Sequence, residues 1–316
     1  MEPDDVARTG EVGSRRGLPV LANGDLVASR YEIIRLIGVG GASEVYEAFD
    51  GGVGVNVALK VLDPIHAQNA VQLERFRREI HSARKVTHRN VCRIFDLGVE
   101  RVRNASRFFL TMELLLGGTL ADALERGRRY APDEARPIVV QLAEGLRAAH
   151  EAGVVHRDLK PGNIVLVAQP PEAGATSAPR AVITDFGLAL SDEQTRLTRS
   201  GEFVGTPDYM APEQTDPGEL TPAADIYALG LIMFEMLTAQ RPFPAGPTPQ
   251  ATVLLRKQVS PRPLRALLPD VDAAWEITID RCLARDPDDR FARVQDVVSA
   301  LAGGELPARK RSRSKH

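Results

Sequence analysis

The feature that most constrains this chain is a short polar loop between two apolar runs. It spans residues 154–167 and has the sequence V-V-H-R-D-L-K-P-G-N-I-V-L-V. The apolar runs predict two short strands, and the dipeptide Pro161-Gly162 predicts a turn. A turn at this point brings Asp158, Lys160 and Asn163 into one cleft.

These three side chains suit a hydroxyl that lies beside a charged phosphate. A carboxylate can orient and deprotonate the hydroxyl, an amide oxygen can bind a hard cation, and an ammonium can offer charge to a moving phosphoryl group. The alternative interpretation is a capped surface turn without chemistry.

Composition narrows the class of protein. With 316 residues, 43% of them hydrophobic, the chain can form two modest domains with a sizeable core. Forty Lys and Arg against 42 Asp and Glu give a formal net charge of -2, which argues against a nucleic acid or an anionic membrane as partner.

The location of the chain is predicted from what the sequence lacks. No apolar run approaches the ~18 residues that span a bilayer, and the N-terminus lacks the apolar segment of a signal peptide. Cys92 and Cys282 follow no metal-binding spacing, so we expect them to be reduced residues of the core. These features predict a cytoplasmic protein without a membrane span.

Residues 31–50 predict a strand, a glycine-rich turn and a second strand. In a dinucleotide-binding motif the glycines open a helix, whereas here a strand follows them. We therefore favour a hairpin that covers phosphates. Gly38, Gly40 and Gly41 would let backbone N–H groups approach phosphate oxygens, because no Cβ obstructs them.

A lysine and a glutamate form the next candidate pair. Residues 56–62 predict a buried strand in which Ala58 and Lys60 face the same side. In the helix predicted next, Glu79 borders the apolar stripe, which makes it the candidate partner of Lys60. The alternatives are a lysine that reaches solvent and a glutamate on a solvated helix face. The apolar stripe consists of Leu73, Phe76, Ile80 and Ala83.

A second cation ligand is predicted after the strand at residues 181–184. The sequence D-F-G follows this strand, so Asp185 can reach the cleft that holds Asn163. Two oxygen ligands together with phosphates suit Mg²⁺. Taken alone, the Asp185 segment is also consistent with a plain turn.

The remaining segments predict a loop at 98–107, a strand from Phe108 and a helix cap at Thr119. Residues 168–180, rich in Pro, Ala and Gly, predict a loosely ordered hairpin insertion without chemistry. The chain from 188 to 206 is polar and leads into G-T-P-D-Y-M-A-P-E. Helices are predicted at about 120–126, 133–152, 224–237, 275–283 and 294–301.

Taken in order, these segments resemble the eukaryotic-like (Hanks-type) serine/threonine protein kinases of bacteria. The matching motifs are G-V-G-G-A-S, V-A-L-K, H-R-D-L-K-P-G-N, D-F-G and A-P-E, and the resemblance covers about residues 30 to 302. It departs from the family where Ser43 replaces the third glycine of the loop, which costs some flexibility there.

The resemblance implies an α+β, bilobal protein-kinase fold. We expect a small antiparallel β-sheet N-lobe with one main helix at residues 29–115. A larger, mainly helical C-lobe is expected at 116–302, with ATP between the lobes. Residues 1–28 are expected to be a disordered leader, and residues 303–316 a basic flexible tail.

The resemblance also assigns roles to residues. Asp158 is implied as the catalytic base and Lys160 as the residue that screens the transferring phosphate. Asn163 and Asp185 are implied as ligands of Mg²⁺, with Mn²⁺ as an alternative, and Lys60 as the residue that holds the α/β-phosphates. The implied contacts to ATP are Gly38, Val39, Gly40, Gly41, Ala42, Ser43, Val45, Ala58, Lys60, Met112, Glu113, Leu115 and Val165.

Several further pairs follow from the resemblance. Glu79 is implied to pair with Lys60 in the active state, and Glu213 with Arg290 in a structural ion pair. Asp225, at the start of a helix, is implied to brace the backbone of the catalytic loop.

The implied reaction is ATP-dependent phosphorylation of serine or threonine on protein substrates. Lys160 two residues after Asp158, together with Thr206 before Pro207, matches the Ser/Thr-specific pattern, so Thr206 joins the catalytic set. The rivals are a pseudokinase scaffold that binds nucleotide or partners without turnover, and a small-molecule phosphotransferase.

Arg157, immediately before Asp158, predicts regulation by phosphorylation of the loop between Asp185 and Glu213. A transient homodimer would allow one molecule to phosphorylate another there. The candidate acceptors, in order of preference, are Thr198, Ser200 and Thr195.

Overall fold

A computed structural model describes residues 21–39, 43–62, 70–102, 105–169, 178–186, 207–218 and 220–304. The chain divides into two compact units. The first combines Met1–Leu73 with Phe95–Leu114, and the second combines Glu74–Ile94 with Leu115–His316. Each unit has its own hydrophobic core.

The first unit is built on a sheet with six strands among the described residues, in the order β1-β2-β3-β4-β6-β5. Neighbours from β1 to β4, and β4 with β6, pair antiparallel. The strands are β1 (Leu26–Val27), β2 (Tyr31–Val39), β3 (Ser43–Asp50), β4 (Val55–Leu62), β5 (Ile94–Val102) and β6 (Ala105–Met112).

One face of this sheet forms the core of the first unit. Ile33, Tyr46, Leu59 and Phe109 are buried there in one cluster. Packing explains why residue 98 on β5 is a glycine, because a Cβ at Gly98 would lie 2.1 Å from the ring of Phe109. The side chains on this face alternate along β3 and β4 with those on the opposite face, as the two-residue period of a strand requires.

Three predictions for local structure were wrong. The loop predicted at 98–107 is mainly strand, since β5 and β6 occupy most of it. The charged residues Asp96, Glu100 and Arg101 lie on β5 at the edge of the sheet, where charged side chains are common. Residues 1–28 were predicted to be a disordered leader, but Leu26 and Val27 form a strand that pairs with β2. Residues 1–20 lie outside the described residues. Val154 and Val155 lie in no strand.

The second unit is mainly helical, and its core is centred on α4. Its helices are α1 (Ala70–Ala83, whose first residues belong to the first unit), α2 (Leu120–Glu125), α3 (Pro132–Glu151), α4 (Pro222–Thr238), α5 (Pro249–Gln258), α6 (Ala273–Cys282) and α7 (Val294–Leu301). A small sheet joins β7 (Gly117–Thr119), β8 (Ile164–Val167) and β9 (Arg180–Ile183) in that order.

The helix predictions are confirmed for α1, α2, α3, α4, α6 and α7 to within a few residues. The predicted cap is also confirmed, because the Thr119 hydroxyl accepts from the Asp122 N–H while the Asp122 carboxylate accepts from the Thr119 N–H. Helix α4 is buried on almost every side, which explains its near-continuous apolar sequence. Cys92 and Cys282 are buried, as expected.

Helix α5 was not predicted. Its sequence P-Q-A-T-V-L-L-R-K-Q mixes polar and apolar residues, and its apolar stripe is interrupted by an arginine. The sequence feature that could have predicted the helix is at its start. There the Thr248 hydroxyl accepts from the Ala251 N–H, and Pro249 occupies the first turn. Across the described parts of the chain, none of the helices combines the length and the apolar composition needed to cross a bilayer.

Candidate active site

The polar loop at 156–163 joins helix α3 to strand β8, and a short 3₁₀ turn at Pro161–Asn163 ends it. Strands β8 and β9 form an antiparallel pair in which Ile164 lies opposite Ile183. The N–H of Thr184 donates to the Asn163 carbonyl at 2.8 Å. Asp185 directly follows Thr184. It therefore lies at the same end of this pair of strands as Asn163.

The structure brings Asp158, Lys160 and Asn163 together. Lys160 Nζ donates to Asp158 Oδ2 at 2.7 Å. Asn163 Nδ2 donates to the Asp158 carbonyl oxygen at 2.8 Å and to Asp158 Oδ2 at 3.2 Å. The side chains of Asp158 and Lys160 are 27% and 23% exposed, so a substrate can reach both.

Asn163 and Asp185 fit a divalent cation. Because Nδ2 of Asn163 is held by Asp158, the side-chain carbonyl oxygen is the group left to bind a metal. Asp185 has a φ of 63°, a left-handed conformation that is costly for an aspartate and is found at functional positions. Within the described residues no three His, Cys, Asp or Glu side chains cluster as metal ligands, so phosphate oxygens would have to complete the coordination.

His156 connects the loop that carries Asp158 to the segment that carries Asp185. Its Nδ1 accepts from the Asp158 N–H at 3.3 Å, and its Nε2 contacts the Thr184 carbonyl at 2.8 Å. A carbonyl can only accept, so the proton of the neutral ring is on Nε2. The ring is fully buried and lies 4.5 Å from the ring of Phe186.

Asp225 on α4 fixes the start of the loop, as the resemblance implied. Its Oδ2 accepts from the His156 N–H at 2.9 Å and contacts His150 Nε2 at 2.7 Å, while Oδ1 accepts from the Arg157 N–H at 2.9 Å. Burial alone would raise the pKa of Asp225, but the hydrogen bonds from the His150 side chain and the His156 N–H help to outweigh burial, and the pKa is lowered. The carboxylate therefore remains ionised inside the protein.

The segment around Glu213 is tied to the same loop. Arg290 donates to both carboxylate oxygens of Glu213, at 2.7 and 2.8 Å, which confirms the predicted ion pair. Sequence reasoning missed the next residue, Gln214. Its Nε2 donates to the Arg157 carbonyl at 2.9 Å, and its Oε1 accepts from the Ala211 N–H. Only its position directly after A-P-E could have drawn attention to it.

Glu79 and Arg157 form an ion pair in the second unit. Arg157 Nη1 lies 3.4 Å from Glu79 Oε1, and both side chains are partly exposed. Arg157 also has a left-handed backbone, with a φ of 68°. The predicted pair between Glu79 and Lys60 stays a prediction.

In the first unit, the sheet face opposite the core carries four predicted nucleotide contacts. Val45 pairs with Lys60 in the register of β3 and β4, and Ala58 pairs with Met112 in the register of β4 and β6. Paired residues of an antiparallel sheet share a face, so all four side chains lie on one side. Lys60 is buried there, in contrast to a lysine that reaches solvent.

The predicted hairpin is confirmed, because strand β3 follows the glycines and pairs with β2. Gly38 lies opposite Val45, and Val39 lies opposite Glu44. Ser43 begins β3. Residues Gly40, Gly41 and Ala42 lie outside the described residues, as do Thr195, Thr198, Ser200 and Thr206.

The other predicted nucleotide contacts belong to both units. Glu113 follows β6 in the first unit, and Leu115 begins the second unit. Val165 is on β8, between Thr119 of β7 and Val182 of β9. All three are half-buried, and their assigned roles stay predictions.

Comparison with known proteins agrees with this geometry. The sequence profile of the family described as "Protein kinase domain" matches residues 31–300. The serine/threonine-protein kinase PknA of Mycobacterium tuberculosis is 34% identical over 291 residues, which cover 90% of this chain and 64% of PknA. A probable serine/threonine-protein kinase PknB of Corynebacterium glutamicum is 31% identical over 282 residues, covering 87% of this chain and 42% of that protein.

Solved structures show the same fold. The kinase domain of PknI from Mycobacterium tuberculosis has a TM-score of 0.69 at 26% identity, and the match covers 90% of this chain and 99% of that chain. The α+β protein-kinase fold is thereby confirmed. The chain spans only 42 to 64% of the length of the curated relatives described above. Because the profile of this family matches residues 31–300, the chain belongs to the protein kinase family.

Proposed function

We propose that this chain transfers the γ-phosphoryl group of ATP to serine or threonine hydroxyls of protein substrates. The observation that carries the proposal is the contact of Asp158 Oδ2 with Lys160, at 2.7 Å, and with Asn163, at 3.2 Å. The names of the relatives, all serine/threonine kinases at 31 to 34% identity, support the same activity.

Asp158 is the proposed base. Among the described residues, the side-chain hydrogen bonds to its carboxylate both use Oδ2, so Oδ1 is the oxygen for the substrate hydroxyl. Oδ1 would orient the hydroxyl for in-line attack and accept its proton as the new O–P bond forms, while the bond from the γ-phosphorus to the β,γ-bridging oxygen breaks and ADP leaves. His156 and Asn163 hold the backbone of Asp158 in place, so little reorganisation is needed.

Lys160 is proposed to stabilise the transferring phosphoryl group. Its ammonium lies against the carboxylate that receives the hydroxyl proton, which is where negative charge passes during transfer. Lysine offers a compact charge on a flexible stem, so it can follow the phosphoryl group from donor to acceptor.

Asn163 and Asp185 are the proposed ligands of Mg²⁺, with Mn²⁺ as the alternative metal. When bound, the metal would neutralise charge on the phosphates of ATP. In the first unit, Lys60 is proposed to hold the α/β-phosphates, while Val45, Ala58 and Met112 on the same sheet face contact the adenine. The backbones of Glu113 and Leu115 and the hairpin residues 38–43 would complete the nucleotide contacts, together with Val165.

Regulation and location extend the proposal. Phosphate at Thr198, or else at Ser200 or Thr195, would pair with Arg157, whose 3.4 Å contact with Glu79 is long for an ion pair and open to competition. We propose that one molecule phosphorylates this loop of another in a transient homodimer. The proposed location of the protein is the cytoplasm. Thr206 is proposed to help select serine or threonine.

The test is a phosphorylation assay of the purified chain with Mg²⁺-ATP and a generic basic protein. We expect phosphoserine and phosphothreonine, and no transfer when EDTA removes the metal. An Asp185→Asn variant should bind Mg²⁺-ATP more weakly, because one of the proposed ligands loses its charge. Phosphate found only on tyrosine would contradict the proposed acceptor. ATP binding without transfer by the unaltered chain would favour the pseudokinase.

A further inference from the structure

Helix α5 places an arginine inside the protein. Arg256 is only 3% exposed, although it lies in the last turn of a short helix. Its Nη1 donates to the Met210 carbonyl and its Nη2 donates to the Asp208 carbonyl. Burial lowers the pKa of Arg256, because it disfavours the charged form of the guanidinium.

The two carbonyls are two residues apart, so their oxygens are matched by the two terminal nitrogens of one guanidinium. A lysine could not reproduce this contact, because an ammonium is a single point of charge. The guanidinium also lies 5.8 Å from the centre of the Phe243 ring. The arginine is therefore held in one orientation by its acceptors and by an aromatic ring.

Other side chains contact the same segment through its side chains. Arg241 pairs with the Asp208 carboxylate at 2.8 Å. The Tyr209 hydroxyl donates to Glu235 at 2.5 Å. These contacts fix side chains, whereas Arg256 holds the backbone carbonyls on both sides of Tyr209.

The segment 208–210 lies beside the catalytic loop. Tyr209 lines a cavity of about 300 Å³ whose walls also include Lys160, Pro161 and Gly162. The segment is also continuous with Ala211, which Gln214 links to the carbonyl of Arg157. A shift of the backbone at 208–210 would therefore change the surface next to Lys160.

We propose that Arg256 is a positioning residue for the protein substrate. By holding the carbonyls of Asp208 and Met210, it sets the backbone against which the substrate lies, so that the substrate hydroxyl reaches Asp158. The inference rests on the proposed function. It assigns Arg256 no part in nucleotide binding, because the residues it contacts are not among those proposed to bind ATP.

The test compares Arg256→Lys and Arg256→Gln with the unaltered chain. Both variants should raise the KM for a serine-containing peptide by about tenfold or more, because a misplacement of about 1 Å can cost up to ~100-fold. The KM for ATP should stay within about twofold, since the proposed nucleotide contacts are untouched. Arg256→Lys keeps the charge and not the paired donors, so it should not restore the peptide KM.

A matched control is Arg281→Gln. Arg281 is another buried arginine of the second unit, 6% exposed, with its guanidinium 4.5 Å from the Phe291 ring. Its loss should lower the melting temperature and leave the peptide KM unchanged. This control separates a general loss of packing from the loss of backbone positioning.

Hydrogen exchange over residues 207–215 provides a readout that does not require turnover. We expect faster exchange in folded Arg256→Lys than in the unaltered chain. Unchanged exchange and an unchanged peptide KM in that variant would overturn the inference, as would an equal rise in the KM values for peptide and ATP. Absence of transfer by the unaltered chain would contradict the proposed function instead, and the exchange result would still decide the role of Arg256.

Discussion

Replacing Asp225 by asparagine should destabilise the protein and disorganise the catalytic loop. The Asp225 carboxylate is 1% exposed and receives contacts from the backbone N–H groups of His156 and Arg157 and from His150 Nε2. Asparagine has the same size, yet one of its two polar groups is an NH₂ donor. At least one buried donor would then face another donor.

The magnitude follows from these contacts. A buried donor left without an acceptor costs ~1–3 kcal/mol, and removal of one partner of a buried charged network costs ~3–5 kcal/mol. We expect Asp225→Asn to lose about 3 kcal/mol of unfolding free energy and to melt ~10 °C lower. Activity per folded molecule should also fall, because the amide NH₂ replaces one of the two oxygens that accept from the backbone of the loop that carries Asp158.

The pH dependence of this effect has a definite sign. The pKa of Asp225 is lowered in the folded protein, so its stabilising contribution is complete above the pKa of an exposed aspartate. The contribution is lost as the pH falls through the lowered pKa of the folded state. The difference in unfolding free energy between the unaltered chain and Asp225→Asn should therefore be constant from about pH 6 to 8. It should shrink below about pH 4.

The assay is urea unfolding at several pH values, combined with peptide phosphorylation at a temperature where both proteins are folded. Asp270→Asn is the matched control, because Asp270 is an exposed aspartate in a turn of the same unit. It should change the unfolding free energy at neutral pH by less than about 0.5 kcal/mol. An Asp225→Asn protein within 1 kcal/mol of the unaltered chain would refute the reasoning about the buried network.

Three further predictions concern glutamates. Glu213→Gln should cost ~3 kcal/mol of unfolding free energy in urea titrations, because it leaves the fully buried Arg290 side chain without its carboxylate. Glu79→Ala should lower the rate of peptide phosphorylation and change the unfolding free energy by no more than ~1 kcal/mol, because its ion pair is partly exposed; the reverse pattern would make the residue structural. Burial raises the pKa of Glu235 despite its hydrogen bond from Tyr209, so its contribution to stability is lost as the pH rises through the raised value. Glu235→Gln should flatten the fall in stability that begins above about pH 4.5, the ordinary pKa of a glutamate, and an unchanged slope would contradict this.

The catalytic loop could be predicted from the sequence because its interactions are local. Asp158, Lys160 and Asn163 lie within six positions, so a single turn is enough to bring them together. The long helices α3 and α4 were predictable for a related reason, since their apolar residues recur at a helical period or fill the whole helix. In these cases a segment carries the information for its own structure.

Other features depend on distant partners and could not be predicted. Gln214 and Arg157 are 57 positions apart, and Arg256 and Met210 are 46 positions apart. An arginine in a weakly amphipathic helix predicts a solvated side chain, and only the packing of α5 against the segment at 207–215 buries it. The edge strand β5 was missed because it contains a glycine and three charged residues, a composition that is also common in loops.

The most direct test of the proposed mechanism is the single-turnover rate of phosphoryl transfer by Asp158→Asn at saturating Mg²⁺-ATP. Asparagine can still contact Lys160 and Asn163, but it cannot accept the hydroxyl proton as a base. We predict a rate lower by about 10² or more, with ATP affinity nearly unchanged, because a positioned base contributes about 10²–10⁴ to the rate. A rate close to that of the unaltered chain would contradict the role of Asp158 and with it the proposed mechanism.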